Sequence, residues 1–195
     1  MDIYLRHFKK IVLLSNMALD IAAFAESQGA SNFVERLDLT CGALPSDEYT
    51  QVIDQFAPEP FLELYSRMAE HRFAFAVTGL LNMNPGYIKA LENYCFEQGR
   101  NLKPAKITTI ESAYELINTY VLDGMPAEDI KNVTKIESDK LTWEELSDTH
   151  ADAWVKADGN LENYYHLQSY FIQGLLDESG IAFSNEENKS FSLSR

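Results

Sequence analysis

Three short spacings in this chain join histidine to carboxylates, the residue types that supply general bases and metal ligands. Asp148-x-His150-x-Asp152 is the most metal-like of them. On a helix, alternate residues diverge by about 200°, so Asp148 and Asp152 share a face that His150 leaves. The expected role of His150 is therefore structural, on a packed row with Trp143, Leu146, Ala153, Trp154 and Ala157. Glu162 and His166 are four apart and can meet on one helix face beside Tyr165 and Tyr170. With no further ligand in the pattern, they read as a polar surface pair rather than a metal centre. Glu70-His71 is weaker still, because adjacent helical residues point apart.

Other chemistry is thinly represented. Cys95 lies on an apolar helical row and reads as a small buried hydrophobe, while Cys41 is expected in a loop, with no basic residue or histidine near it in sequence. The two have no CxxC spacing, which fits a reduced, cytoplasmic compartment. Arg67 and Arg72 could bind a carboxylate or phosphate, or form the polar side of a long helix. There is no GxSxG, no Walker-type loop and no Gly-rich dinucleotide fingerprint, so no cofactor and no catalytic residue is assigned.

The elements that must position these residues read as helices. At 195 residues and 46% hydrophobic, the chain is long enough for one sizeable core, and nine Gly with six Pro are few. The expectation is an all-α, compact multi-helix bundle in one domain, with a sub-domain boundary near 100–107 and a short C-terminal strand or extended tail. Helices are predicted from Ile3 to about Ser27, from Ser31 to about Leu39, and from Phe61 to about Met83. Ser46 looks like an N-cap ahead of Asp47 and Glu48. Asn84-Pro85 opens a helix that Gly99 should stop, and Thr108-x-x-Glu111 is a capping-box pattern ahead of another. Pro126 should open a short helix through Val133, and Thr142-x-x-Glu145 a further one that Gly159 ends. The last helix is predicted from Leu161 to about Glu178. The tail from Asn185 reads as polar and loose, with Phe183, Phe191 and Leu193 able to dock or pair as a strand.

The segment Gly124 to Leu146 resembles bacterial helix-turn-helix units, with Gly124-Met125-Pro126, Ile130-Lys131 and Lys135-Ile136-Glu137 in the positions of their usual signals. Lys131, Lys135 and Glu137 replace the small residues of the pattern. The would-be recognition helix also carries Glu137, Asp139, Glu144 and Glu145 against Lys140 alone, which opposes approach to phosphates.

Charge is the strongest functional signal. Glu111 to Glu187 holds 17 of the 30 acidic residues and 4 of the 16 basic ones, so residues 107–195 read as acidic and 1–106 as nearly neutral. Such a field repels nucleic acid and anionic membranes and attracts basic proteins. No run of apolar residues approaches the ~18 that span a bilayer. The basic residues ahead of the first apolar run do not make it a secretory signal, since Asn16 and Asp20 interrupt it. The functional expectation is a soluble, cytoplasmic, non-enzymatic protein-binding regulator, such as an inhibitor, immunity-type protein, adaptor or chaperone. Its basic partner could itself bind nucleic acid, and homo-oligomers are compatible with the sequence. The acidic contact surface is expected on Glu137, Asp139, Glu144, Glu145, Asp148 and Asp152. Two further readings stand beside it: a helix-turn-helix-derived transcription regulator acting in a complex, and a helical enzyme or small-molecule binder with an inter-helix pocket.

Overall fold

The computed structural model describes residues 2–44, 57–126, 128, 130–186 and 189–195. The reading of Ser46, Asp47 and Glu48 as a helix start lies outside them. The chain divides into two compact units, the first made of residues 1–87, 122–128 and 150–160 and the second of 88–121, 129–149 and 161–195. The segment 100–107 lies wholly within the second.

The first unit is helical. Helix α1, Ile3–Ser27, is capped by Asp2, whose side chain accepts from Tyr4 N–H. It buries Phe8, Ile11, Ala18 and Ile21 together with His7 and Ser15, the wide apolar stripe of a helix covered on more than one side. Helix α2, Phe33–Cys41, leaves a left-handed Asn32 and inserts Phe33 against α3, Pro58–Met83. Phe33 needs a notch there, and Gly79 provides it: a Cβ on Gly79 would lie 2.4 Å from the Phe33 ring. Pro58 at the start of α3 suits a position whose N–H has no helical partner, and Asn84 followed by Pro85 ends the helix. Asn84 caps the following 3-10 turn, Pro85–Tyr87, accepting from Gly86 N–H.

The second unit corrects the all-α expectation, because it is built on a four-stranded antiparallel sheet as well as helices. In chain order it contains α4 (Ile88–Leu102), α5 (Ile110–Tyr120), β1 (Lys131–Ile136) and β2 (Lys140–Glu145). After α6 (Ala151–Lys156), which belongs to the first unit, come α7 (Glu162–Leu175), β3 (Ala182–Glu186) and β4 (Ser190–Ser194). The strand order is β1-β2-β4-β3. A β-hairpin thus takes the place of the predicted helix over Lys131–Val133 and of the start of the one predicted from Thr142, whose far end does form α6, and the recognition helix of the helix-turn-helix resemblance does not exist. Leu141, Trp143 and Glu145 alternate with Lys140, Thr142 and Glu144, a period of two that puts the first set inward. Ser-Phe-Ser-Leu-Ser in β4 does the same, burying Phe191 and Leu193, so the tail is paired rather than loose. Trp143 stacks on Phe191 at 5.4 Å and receives the edge of Tyr114 from α5 at 5.1 Å.

Two readings of local signals also change. The capping box of α5 is Thr109 with Ser112, each accepting from the other's backbone N–H, one residue beyond the predicted pair. Gly99 does not stop its helix: α4 runs through it to Leu102. Its function is close approach, since a Cβ there would lie 2.0 Å from Phe171 O of α7, and a Cβ on Gly174 would lie 2.0 Å from Phe96 O.

Glycine in a helix interior normally costs about 1 kcal/mol relative to alanine. Here the backbone contact reverses the sign: Gly99→Ala or Gly174→Ala should each lower the stability of the chain by at least ~2 kcal/mol through overpacking. Urea denaturation checks this, and a stability gain in either variant would disprove the close helix contact.

Candidate functional site

The expected contact residues differ in exposure and in the unit that carries them. Glu137, Asp139 and Glu144 are exposed on the β1–β2 hairpin, but Glu137 also meets Lys135 at 2.9 Å. Glu145 points inward and is buried, and its backbone N–H donates to Lys189 O. Asp148 accepts from Tyr165 O–H at 3.2 Å within the second unit, whereas Asp152 is exposed in the first turn of α6 in the first unit. The charge asymmetry of the linear chain disappears with them. The first unit carries 15 acidic and 7 basic residues, net −8, and the second 15 and 9, net −6.

The hairpin also exposes apolar side chains. Val133 is paired with Trp143 and Ile136 with Leu141, on the inward-facing side of the sheet, yet β1 is the outermost strand and both side chains are exposed, Ile136 at 63%. Leu146, whose N–H donates to Ile130 O, is 65% exposed. Between Val133 and Lys135 the register slips by one residue at Thr134, whose hydroxyl lies 2.8 Å from that of Thr142. The bulge and the lysines of β1 are the usual devices that stop an open edge from pairing with further strands.

The histidines find partners that their sequence neighbours do not suggest. His150 is buried at the start of α6, as a structural histidine should be, and Trp154 of that helix is buried with it, but Trp143 belongs to the sheet of the other unit and Leu146 is exposed. His150 Nδ1 lies 2.9 Å from Glu70 Oε1 on α3. The second oxygen of Glu70 is buried without a hydrogen-bond partner among the described residues, so His150 is what satisfies this carboxylate.

His166 Nε2 lies 2.8 Å from Glu92 Oε1 of α4. Glu92 is almost fully covered, and Lys89, 76% exposed, donates to both of its oxygens. Burial pushes the Glu92 carboxyl up, but the hydrogen bonds from Lys89 and His166 outweigh it and hold it below its ordinary range. Glu162 is exposed at the start of α7. A carboxylate-held imidazole of this kind is oriented, and it stands with Tyr170 at 5.2 Å.

Both cysteines are free and buried. Cys41 is the last residue of α2, not a loop residue, and burial pushes its thiol up to about 11 against the opposing pull of Arg72. Burial pushes Cys95 up to about 12. Neither is a thiolate nucleophile near neutral pH. Arg72 is buried, donating to Asp38 Oδ1 at 2.6 Å and to Gly42 O, while Arg67 pairs with Glu63 at the surface. Among the described residues no three His, Cys, Asp or Glu side chains group as a metal site, and no helix is long and apolar enough to cross a membrane.

The contact that sequence spacing could not reveal is His7 with Ser66, 59 residues apart. His7 Nε2 on α1 lies 2.8 Å from Ser66 Oγ on α3. Burial drives the His7 pKa down to about 4, Lys10 adds to the shift, and Asp123 opposes it. Comparison of the chain with protein-family models, with curated proteins and with solved structures gives no match.

The folded-state pKa of His7 lies below the unfolded value of about 6.5. The unfolded chain therefore binds a proton that the folded chain does not, and the neutral imidazole's contribution, full above about pH 6.5, is lost as pH falls toward 4. The loss is of order 3 kcal/mol. Replacing His7 by Gln should flatten the fall of unfolding free energy between those limits in urea titrations. A slope equal to that of the parent chain would show that His7 is not the buried neutral base.

Proposed function

We propose that this chain is an acidic protein-binding module that engages a basic protein partner, with the β1–β2 hairpin as its contact surface. The observation that carries the proposal is the pair of exposed apolar side chains, Val133 and Ile136, on an open strand edge next to Glu137 and Asp139. Apolar side chains with a charged rim are the composition of a contact whose affinity comes from the centre and whose selectivity comes from the periphery.

The electrostatic part of the reading rests on the whole molecule. The hairpin itself is nearly balanced, since Lys131, Lys135 and Lys140 offset its carboxylates. The net charge of −14, acidic in both units, is what would steer a basic protein at long range, and it would do so from either unit. The bulge at Thr134 and the edge lysines disfavour strand addition, so the contact is one of side chains.

Captured from a lysate of the native host, the partner should be basic and its association should slow as salt rises, because screening at ~0.15 M acts over about 8 Å. Val133→Ser with Ile136→Ser should weaken binding at least ~10-fold, mostly in dissociation. Reversing Glu137, Asp139 and Glu144 to Lys moves the net charge from −14 to −8 and should act mainly on the association rate. Binding insensitive to salt and to both sets of changes would remove the reading.

A further inference from the structure

His7 and Ser66 form an arrangement in the first unit that protein binding does not require. His7 is buried, whereas Ser66 is only half-buried and reaches the surface. The imidazole nitrogen facing the hydroxyl is Nε2, at 2.8 Å, within the range for direct proton transfer. The charged groups acting on this imidazole are Lys10 of its own helix and Asp123 of the 122–128 segment, while α3 presents the Ser66 hydroxyl to it. The residues next to the pair in sequence, Phe8 and Tyr65, belong to an apolar cluster built by the same three segments, in which Phe8 of α1, Phe61 and Leu62 of α3 and Leu122 are buried and Tyr65 and Met125 pack against them.

We propose that Ser66 is an acyl-accepting nucleophile with His7 as its general base, acting on esters with an apolar acyl group. The neutral state of His7 above about pH 4 is the one a base must have. In the step, Ser66 Oγ bonds to the ester carbonyl carbon while its proton passes to His7 Nε2. The carbon–oxygen bond to the leaving group then breaks, and His7 returns the proton to that oxygen. Water repeats the sequence on the acyl-Ser66 ester and releases the carboxylic acid. The substrate class follows from what the helix withholds. Ser66 lies in the interior of α3, where backbone N–H groups are committed to the helix and cannot receive an oxyanion. One such donor is worth roughly 10²–10³ in rate, so esters with good leaving groups are within reach of this site and amides are not.

The test uses the full chain and p-nitrophenyl butyrate, reading p-nitrophenolate release and, after acid quench, the acylated peptide by mass. The expected adduct is on Ser66, with a rate that rises through about pH 4 to a plateau. Ser66→Ala, which changes one atom and is checked for fold by circular dichroism and urea midpoint, should lose the adduct and reduce release to background. His7→Gln should slow acylation by ~10²-fold or more. Adducts confined to surface residues such as His166, or release unchanged in folded Ser66→Ala, would overturn the proposal. So would acylation of Ser66 in His7→Gln at the parent rate.

Discussion

A carboxylate deep in an apolar interior must be paired, and the partner of Glu70 is an imidazole 80 residues away. Everything about the course of the chain is consistent with that pairing. Residues 150–160 belong to the first unit although the residues on either side of them belong to the second. Helix α6 is six residues long, too short to be stable alone; it packs on α3, with His150 at its start bonded to Glu70 and Trp154 within it buried. At its end Gly159 lies tight against α3, where a Cβ would fall 2.2 Å from Thr78 Oγ1. The short helix is therefore defined by its contacts with α3 along the face that carries Glu70 and Thr78.

The same rule organises the other buried polar groups. Arg72 reaches Asp38 and Gly42 O, and His7 reaches Ser66, each across thirty residues or more. In the second unit Glu92 is satisfied by Lys89 and His166 on a helix pair brought together by Gly99 and Gly174. These partnerships join separate segments, so the polar residues of the interior specify which elements meet while the apolar ones supply the driving force. The two proposed activities draw on different units: an exposed strand edge in the second, and a hydroxyl with its base in the first.

What was legible in the sequence was what long periodicity can carry. Helices α1 and α3 run for 25 and 26 residues, and their apolar repeats placed both to within a few positions. The hairpin is hidden in the sequence because each strand is six residues long and Thr142-x-x-Glu145 imitates a helix start, although Leu141 and Trp143 alternate as a strand requires. Gly99 resembles a stop because nothing local distinguishes a terminating glycine from one pressed against another backbone. Cys41 falls outside the helix expected to end near Leu39 because α2 continues two residues further. The acidic block is not one body in the fold for a different reason: the chain alternates between two units, so the −13 of Glu111–Glu187 divides into −3 in the first and −10 in the second, and the whole units carry −8 and −6. Neither His7–Ser66 nor Glu70–His150 could be read from one sequence, since nothing in the spacing of 59 or 80 residues marks a contact.

The measurement that bears most directly on this account is a double-mutant cycle between Glu70 and His150, read as urea unfolding free energies of Glu70→Leu, His150→Leu and the double variant. Breaking a buried pair from one side strands the other group, at about 3–5 kcal/mol, whereas removing both relieves that penalty. The pairing predicts that the double variant is more stable than the sum of the single losses allows, by at least ~1 kcal/mol. Additivity within about 0.3 kcal/mol would contradict it, and with it the assignment of residues 150–160 to the first unit by a polar bond to α3.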